Sequence, residues 1–367
     1  MPNTSPSSPD ARYSLAALLE PASLAKLGAI GAIVLALIVL FLWTGGWLTS
    51  GRLTQTRLID TFEDVNGPHP GFRRNHAKGV CLAGTFESNG DGTQFSTASA
   101  FKPGRVPVSG RFALAGGMPM RPDKPTAVRS MALSFALADG ETWRTAMNDI
   151  PVFPVRDPQA FYGQLLSSRR DPRTGKPDPI AKKAFLAAHP ETARAMATIR
   201  AHPFSSGFAN ATYNALNAFL LVDAAGRTTP VRWSMRPVDA FAPEPSNPPA
   251  DKNYLFDELI ARIAKAPAQW HLILTIGQPG DPTNDATLPW PTDRQQVNAG
   301  TLSVDRIVAE AESNCRDISF DPLTLPAGIE PSDDPLLSAR SAAYSVSFSR
   351  RAGEPKTPSA VQVPQGR

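Results

Sequence analysis

A chain of 367 residues in which 42% of side chains are hydrophobic and 19% charged has the apolar mass for a core and too little charge for wholesale disorder. Its 37 basic against 33 acidic residues leave a net charge of only +4, which argues against nucleic acid as a partner. Proline occupies 37 positions and disfavours a mostly helical bundle, because it removes a backbone donor and blocks helix interiors.

Taken in chain order, residues 1–26 hold proline, serine and asparagine with little periodicity and predict a flexible tail. Residues 27–49 carry no charge and are almost wholly apolar, and at about 1.5 Å per residue such a run crosses a hydrocarbon layer of about 30 Å. This predicts one transmembrane helix, with Trp43 and Trp47 toward its interfacial end and Lys26 and Arg52 at its flanks. The tail and the run are both too long for a cleaved signal peptide, and no small-residue cleavage site follows. Orientation stays open, since Arg12 and Lys26 before the run balance Arg52 and Arg57 after it.

Residues 50–351 read as one domain without linker or repeat. Segments 80–88, 109–117, 128–140, 217–235 and 270–280 alternate apolar with small or polar residues and end in Gly, Asp or Pro, so they predict strands. The fourth contains a short Gly-bearing connection, the mark of a hairpin. Helical patterns cover 158–168, 179–201 and 257–265. The fold class is α+β: a large antiparallel sheet, closed, with helices outside it or at one end. Residues 352–367 predict a disordered exit. Cys81 and Cys315 lie far apart in no metal-binding spacing; neither a disulfide framework nor a zinc site is readable, and one long-range disulfide is left open.

Five histidines can be weighed singly. His69, His189 and His202 adjoin prolines and belong to loops or helix ends, and His271 begins a strand. His76 differs: it stands among Arg73, Arg74 and Lys78, directly before a small-residue strand, where the basic side chains suit carboxylates of a bound ligand.

The run Arg73-Arg74-Asn75-His76-Ala77-Lys78-Gly79, then Gly110-Arg111-Phe112, then Asn148-Asp149-Ile150-Pro151-Val152-Phe153-Pro154-Val155-Arg156-Asp157-Pro158, resembles the distal half of a haem catalase. Phe320-Asp321-Pro322, residues 326–332 and Arg340-Ser341-Ala342-Ala343-Tyr344 follow in the family's order, the last similar to its proximal Arg-x-x-x-Tyr motif. The resemblance covers about 50–351 and is to the small membrane-anchored branch called catalase-related peroxidases. It implies a catalase-like closed antiparallel β-barrel with attached helices, preceded by one transmembrane helix, and heme b (iron protoporphyrin IX) as cofactor. It makes Tyr344 the iron ligand, as a phenolate, with Arg340 one helical turn away and against its oxygen. His76 becomes the proton shuttle and Asn148 the group that orients peroxide. Phe161 would lie over the haem or line its channel, and Arg73, Arg111 and Arg351 would bind the two propionates. Arg156 and Asp157 are assigned to structure, as a strand-end pair before a helix.

The chain departs from the larger family members at two distal positions. They carry a serine where this chain has Ala113, so one hydrogen bond to the distal histidine is expected to be missing. They have valine where this chain has Asn75, which predicts a more polar entrance. No flavodoxin-like C-terminal domain is expected after the proximal helix, and shorter termini predict easier access to the haem edge. The expected activity is reduction of hydrogen peroxide or an organic hydroperoxide by a small organic electron donor through an oxo-iron(IV) intermediate, with weak catalase activity. The alternatives are a membrane-tethered haem sensor or store, and a hydroperoxide-rearranging relative; the former would not need His76, Asn148 and the Arg-Tyr pair together. The resemblance leans toward a periplasmic soluble domain, and a homo-oligomer stays open.

Overall fold

The computed structural model describes residues 21–45, 48, 52–171, 173–355 and 358–364. Of the flexible tail expected over residues 1–26, residues 1–20 lie outside them, as does Trp47, while residues 21–26 are helical, which corrects that part of the expectation. The chain divides into two units, Met1–Thr54 and Gln55–Arg367.

The first unit contains helix α1 (Pro21–Thr44), 24 residues long and with no buried side chain. It starts before the uncharged run and includes Lys26; at its end the Thr44 hydroxyl donates back to the Leu40 carbonyl at 2.8 Å. Among the described residues it is the one helix long and apolar enough to cross a membrane, a composition shared by membrane spans and signal sequences.

The second unit is built on strands β1 (Gly79–Ser88), β2 (Gly104–Leu114), β3 (Arg129–Ala136), β4 (Thr142–Asn148), β5 (Tyr213–Asn214), β6 (Phe219–Val222), β7 (Thr228–Pro237), β8 (Ala268–Ile276), β9 (Gln296–Val308) and β10 (Ile329–Pro331). Their pairing runs β7-β5-β4-β3-β2-β1-β9-β8 and back to β7, which closes an antiparallel barrel. β6 pairs with the first half of β7 and carries β10 on its other side.

Because side chains alternate across a strand, each strand sends every second residue into the barrel. Phe112, Met131, Phe135, Trp143, Trp233 and Trp270 are all buried. Trp143 stacks on Phe135 with ring centroids 4.8 Å apart and meets Trp233 edge-on at 5.2 Å. Trp233 Nε1 donates to the Thr145 hydroxyl at 3.0 Å, so the indole is satisfied as well as packed. The barrel interior is therefore core, and a ligand has to sit outside its wall.

Around it lie α2 (Gln55–Asn66), α3 (Pro158–Ser167), α4 (Pro179–Ala188), α5 (Pro190–Ala201), α6 (Tyr254–Lys265) and α7 (Pro335–Ala352). α3 and α7 begin alike, with an aspartate cap followed by proline: Asp157 accepts from Ala160 N, and Asp334 from Leu336 N. Asp157 is thus structural as expected, while Arg156 pairs with Asp285 at 3.5 Å instead of with its neighbour.

The structure departs from the sequence reading in several places. The helix expected over 179–201 breaks at His189, because Pro190 cannot donate and excludes the helical conformation from the residue before it. Helix α2 and strands β4, β5, β9 and β10 were not foreseen; in β9, Gly300 and the charged Asp305 and Arg306 obscure the alternation. The disordered exit expected over 352–367 is corrected over 352–355, where Ala352 ends α7 and Glu354 pairs with Arg74, and over 358–364. Val361 is fully buried in the main core, and the Ser359 hydroxyl accepts from Ala311 N at 2.7 Å. The remainder of that expected tail, residues 356–357 and 365–367, lies outside the described residues. Cys81 in β1 and Cys315 form a disulfide.

Candidate functional site

The second unit contains a cavity of about 310 Å³, in the size range of small-molecule sites, on the outer face of the barrel wall. Ladder register explains the wall. Arg111 is paired with Ala132 and Ala132 with Ala146, while Ala113 is paired with Ser130 and Ser130 with Asn148. All six line the cavity, being the outward alternates of β2, β3 and β4. Three are alanines, which makes this wall shallow and flat. The remaining lining includes Leu58, Ile59 and Phe62 of α2, Phe161 of α3, and Arg340, Ala343, Tyr344 and Arg351 of α7.

His76 enters from the segment before β1 with φ at 53°, a left-handed conformation uncommon for a residue with a side chain. Surrounding bonds impose it. The Asn75 side-chain carbonyl accepts from His76 N and from Gly116 N, both at 2.9 Å, and the His76 carbonyl accepts from Arg111 Nη1 at 2.6 Å. Asn75 thus has its carbonyl oxygen committed to backbone, and it lines the cavity, where valine stands in the larger relatives' sequence pattern. Arg111 reaches this point because Gly79 lacks a Cβ, which would lie 2.6 Å from the guanidinium carbon.

The His76 ring has Nδ1 2.9 Å from the Ser130 hydroxyl, which lies 2.6 Å from Asn148 Oδ1. The distal hydrogen bond expected to be lost at Ala113 is therefore present, supplied by Ser130 from the neighbouring strand. Burial, then the charges of Arg111, Arg340 and Arg73, push His76 down to about 3, so its imidazole is neutral.

On α7, Arg340 Nη2 lies 3.4 Å from the Tyr344 hydroxyl, the contact expected from their spacing. Arg340 Nη1 donates to Asn217 Oδ1, and Asn217 Nδ2 donates to Asp334 Oδ2 at 2.8 Å. The aspartate that caps the helix is thus joined through Asn217 to the arginine beside Tyr344.

The arginines divide by what they bind. Arg74 is paired with Glu63 at 2.6 Å and with Glu354, and Lys78 with Asp123 at 2.5 Å. These two basic neighbours of His76 therefore serve the fold, not a ligand's carboxylates. Arg111 is paired with Glu310 at 2.6 Å and bonded to the carbonyls of His76 and Ala77. Arg73 and Arg351 instead make their hydrogen bonds to backbone carbonyls. Arg73 Nη2 donates to the carbonyls of Ile318 at 2.7 Å and Cys315 at 3.0 Å, and Arg351 Nε to that of Arg316 at 3.1 Å. Arg73 Nε and Arg351 Nη2 are buried without a hydrogen-bond partner among the described residues. Burial, then the charge of Arg351 and that of Arg111, holds Arg73 well below the usual arginine range; burial and then Arg111 push Arg351 down to about 10. A buried cluster of cations with unused donors calls for a ligand bearing carboxylates.

All eight residues singled out from the sequence, His76, Asn148, Tyr344, Arg73, Arg111, Phe161, Arg340 and Arg351, line this one cavity. Phe161 packs against Phe62 and Phe153 at centroid distances of 5.7 and 5.9 Å. Sequence reasoning missed Ser130, the alanines of the wall and the apolar face of α2. A period-2 count along 128–140 puts Ser130 and Ala132 on one face without saying what they meet, and Ala146 and the face of α2 were out of reach, since β4 and α2 went unread.

A flat apolar wall, a tyrosine beside an arginine, and buried arginines with unused donors fit a planar tetrapyrrole with acidic side chains. Among the described residues no group of three or more His, Cys, Asp and Glu could hold a bare metal ion.

Comparison with known proteins agrees with that geometry. The family model described as Catalase matches residues 50–364. A catalase-related peroxidase of Synechococcus elongatus is 36% identical over 310 residues, covering 84% of this chain and 91% of the relative. One from Mycolicibacterium paratuberculosis is 32% identical over 307 residues, covering 83% and 96%. Among solved structures, a fungal catalase superposes with a TM-score of 0.70 at 21% identity, over 85% of this chain and 67% of that one. A bacterial catalase gives 0.68 at 23% identity, over 83% and 63%; at these identities the likeness speaks for the fold.

Proposed function

The chain belongs to the catalase family and is an oxidoreductase acting on peroxide, and from that premise we propose that it is a haem b peroxidase that reduces hydrogen peroxide or organic hydroperoxides with a small organic donor. The observation that carries this reading is the convergence of His76, Asn148 and the Arg340–Tyr344 pair on one cavity that also holds buried arginines with unused donors.

In this reading the Tyr344 oxygen would ligate the iron, with the Arg340 guanidinium holding positive charge beside that oxygen. Arg73, Arg351 and the donors left on Arg111 take the propionates, which neutralises a cluster of buried cations. Phe161 and the alanines of the wall supply apolar surface. Haem, when bound, supplies the two electrons that split the peroxide O–O bond and recovers them from the donor. His76 accepts the proton of the incoming peroxide and returns it to the departing oxygen, a transfer that a neutral imidazole performs and an imidazolium cannot begin. Asn148 orients the peroxide by hydrogen bonding without titrating. With Ser130 present, the lost serine no longer argues against peroxide dismutation as an accompanying activity. α1 would anchor the enzyme as a single membrane span, with the catalytic unit on the periplasmic side.

The test is optical. Purified full-length protein supplied with haem should show an absorption band near the violet edge of the visible, and apoprotein should not. The spectrum should change with peroxide and return on adding a phenolic donor. His76→Ala should keep the haem and slow the peroxide step at least about a hundredfold, whereas Tyr344→Ala should lose or displace the haem. A His76→Ala variant that turns over like the parent would sink the reading.

A further inference from the structure

We propose that Ser130 is a positioning residue that decides which nitrogen of His76 carries the proton and holds Asn148 in the matching orientation, an inference that rests on the peroxidase reading above. A serine hydroxyl has one proton and two lone pairs. Ser130 Oγ has two polar partners, Asn148 Oδ1 at 2.6 Å and His76 Nδ1 at 2.9 Å. An amide carbonyl can only accept, and 2.6 Å is the length of an O–H···O bond, so the hydroxyl proton lies toward Asn148. Only a lone pair is then left for His76, and Nδ1 must be the nitrogen that donates.

The imidazole has a single N–H, because its burial among Arg111, Arg340 and Arg73 keeps it neutral. With that hydrogen on Nδ1, Nε2 has a free lone pair and is the base available to a peroxide. The same bond turns the Asn148 carbonyl toward Ser130 and its NH2 group away, so that one hydroxyl sets both the acceptor and the donor. Rotating the amide by half a turn would reverse every proton: Asn148 would donate to Ser130, Ser130 to Nδ1, and Nε2 would be protonated and useless as a base.

The fold makes this arrangement rigid. Ser130 is buried, lies between Ala113 and Asn148 in the ladder, and shares its outward face with both. His76 is fixed independently at its N–H by Asn75 and at its carbonyl by Arg111. Only the ring remains to be set, and Ser130 is the side chain that meets it.

The experiment reads the proton directly. Full-length protein labelled with ¹⁵N-histidine and loaded with gallium(III) protoporphyrin IX, a diamagnetic stand-in for the ferric cofactor, should show His76 with a protonated Nδ1 and a bare Nε2 from pH 5 to 8. Ser130→Ala should give a mixed or reversed tautomer. Loaded with iron porphyrin, that variant should keep its haem while the peroxide step slows roughly two- to tenfold, the loss expected when a single neutral hydrogen bond is removed. A parent protein with Nε2 protonated overturns the assignment without any variant. So does a Ser130→Ala protein whose tautomer and peroxide rate match the parent. If the parent reacts with peroxide in either case, only the role of Ser130 falls; a parent that takes up no haem brings down the peroxidase reading with it.

Discussion

At the scale of single residues, His76 carries a consequence for acid stability. A free histidine takes a proton near 6.5, whereas His76 in the fold resists protonation down to about 3. Between those values the unfolded chain binds a proton that the folded chain does not, so this residue makes folding less favourable as pH falls from about 6.5 toward 3, and is neutral in its effect above that window. Melting temperatures at pH 7 and pH 4.5 should therefore differ more for the parent than for His76→Ala, and an equal difference would remove this account of the ring. Six of the eight candidates, His76, Asn148, Tyr344, Arg73, Arg111 and Arg340, stand in short motifs that carry the family resemblance, whereas Phe161 and Arg351 stand beyond them; that all eight line one cavity is what the structure adds. Ser130 was not legible, although its strand was read, because the sequence does not say which outward residue meets the ring of a histidine 54 positions earlier.

At the scale of elements, α7 shows how a helix start serves a site a turn and a half away. Asp334 caps the helix through Leu336 N and at the same time holds Asn217, which holds Arg340 beside Tyr344. Asp157 caps α3 through Ala160 N with no such second task among its described bonds. Replacing either by alanine should cost about 0.5–2 kcal/mol in stability. Only Asp334→Ala should also release haem faster, and measuring haem transfer to an acceptor protein in both variants separates capping from positioning. Equal release from the two would show that the chain of bonds through Asn217 has no bearing on the proximal side. Aspartate-proline helix starts are readable from sequence, as at residues 157–158. Strands such as β9 are not, because barrel pairing on both flanks stabilises a segment whose own pattern is broken by Gly300, Asp305 and Arg306.

At the scale of the molecule, alternation and a high proline content sufficed for an antiparallel barrel, but the order of its staves did not follow from them. β1 pairs with β9 across more than two hundred residues, and no local pattern announces so distant a partner. The same distance separates Cys81 and Cys315, 234 positions apart in the chain, and only the fold brings their sulfurs together. Their bond turns the stretch from 81 to 315 into a covalent ring. Trypsin has an exposed target in that ring at Arg173–Thr174. A single nick there should leave one band at full mass on an unreduced gel and two pieces once thiol is added, and separation without thiol would mean the ring is open. Residues 52–54 lie outside the ring, so a cut there should instead free the hoop whole, its circumference unbroken.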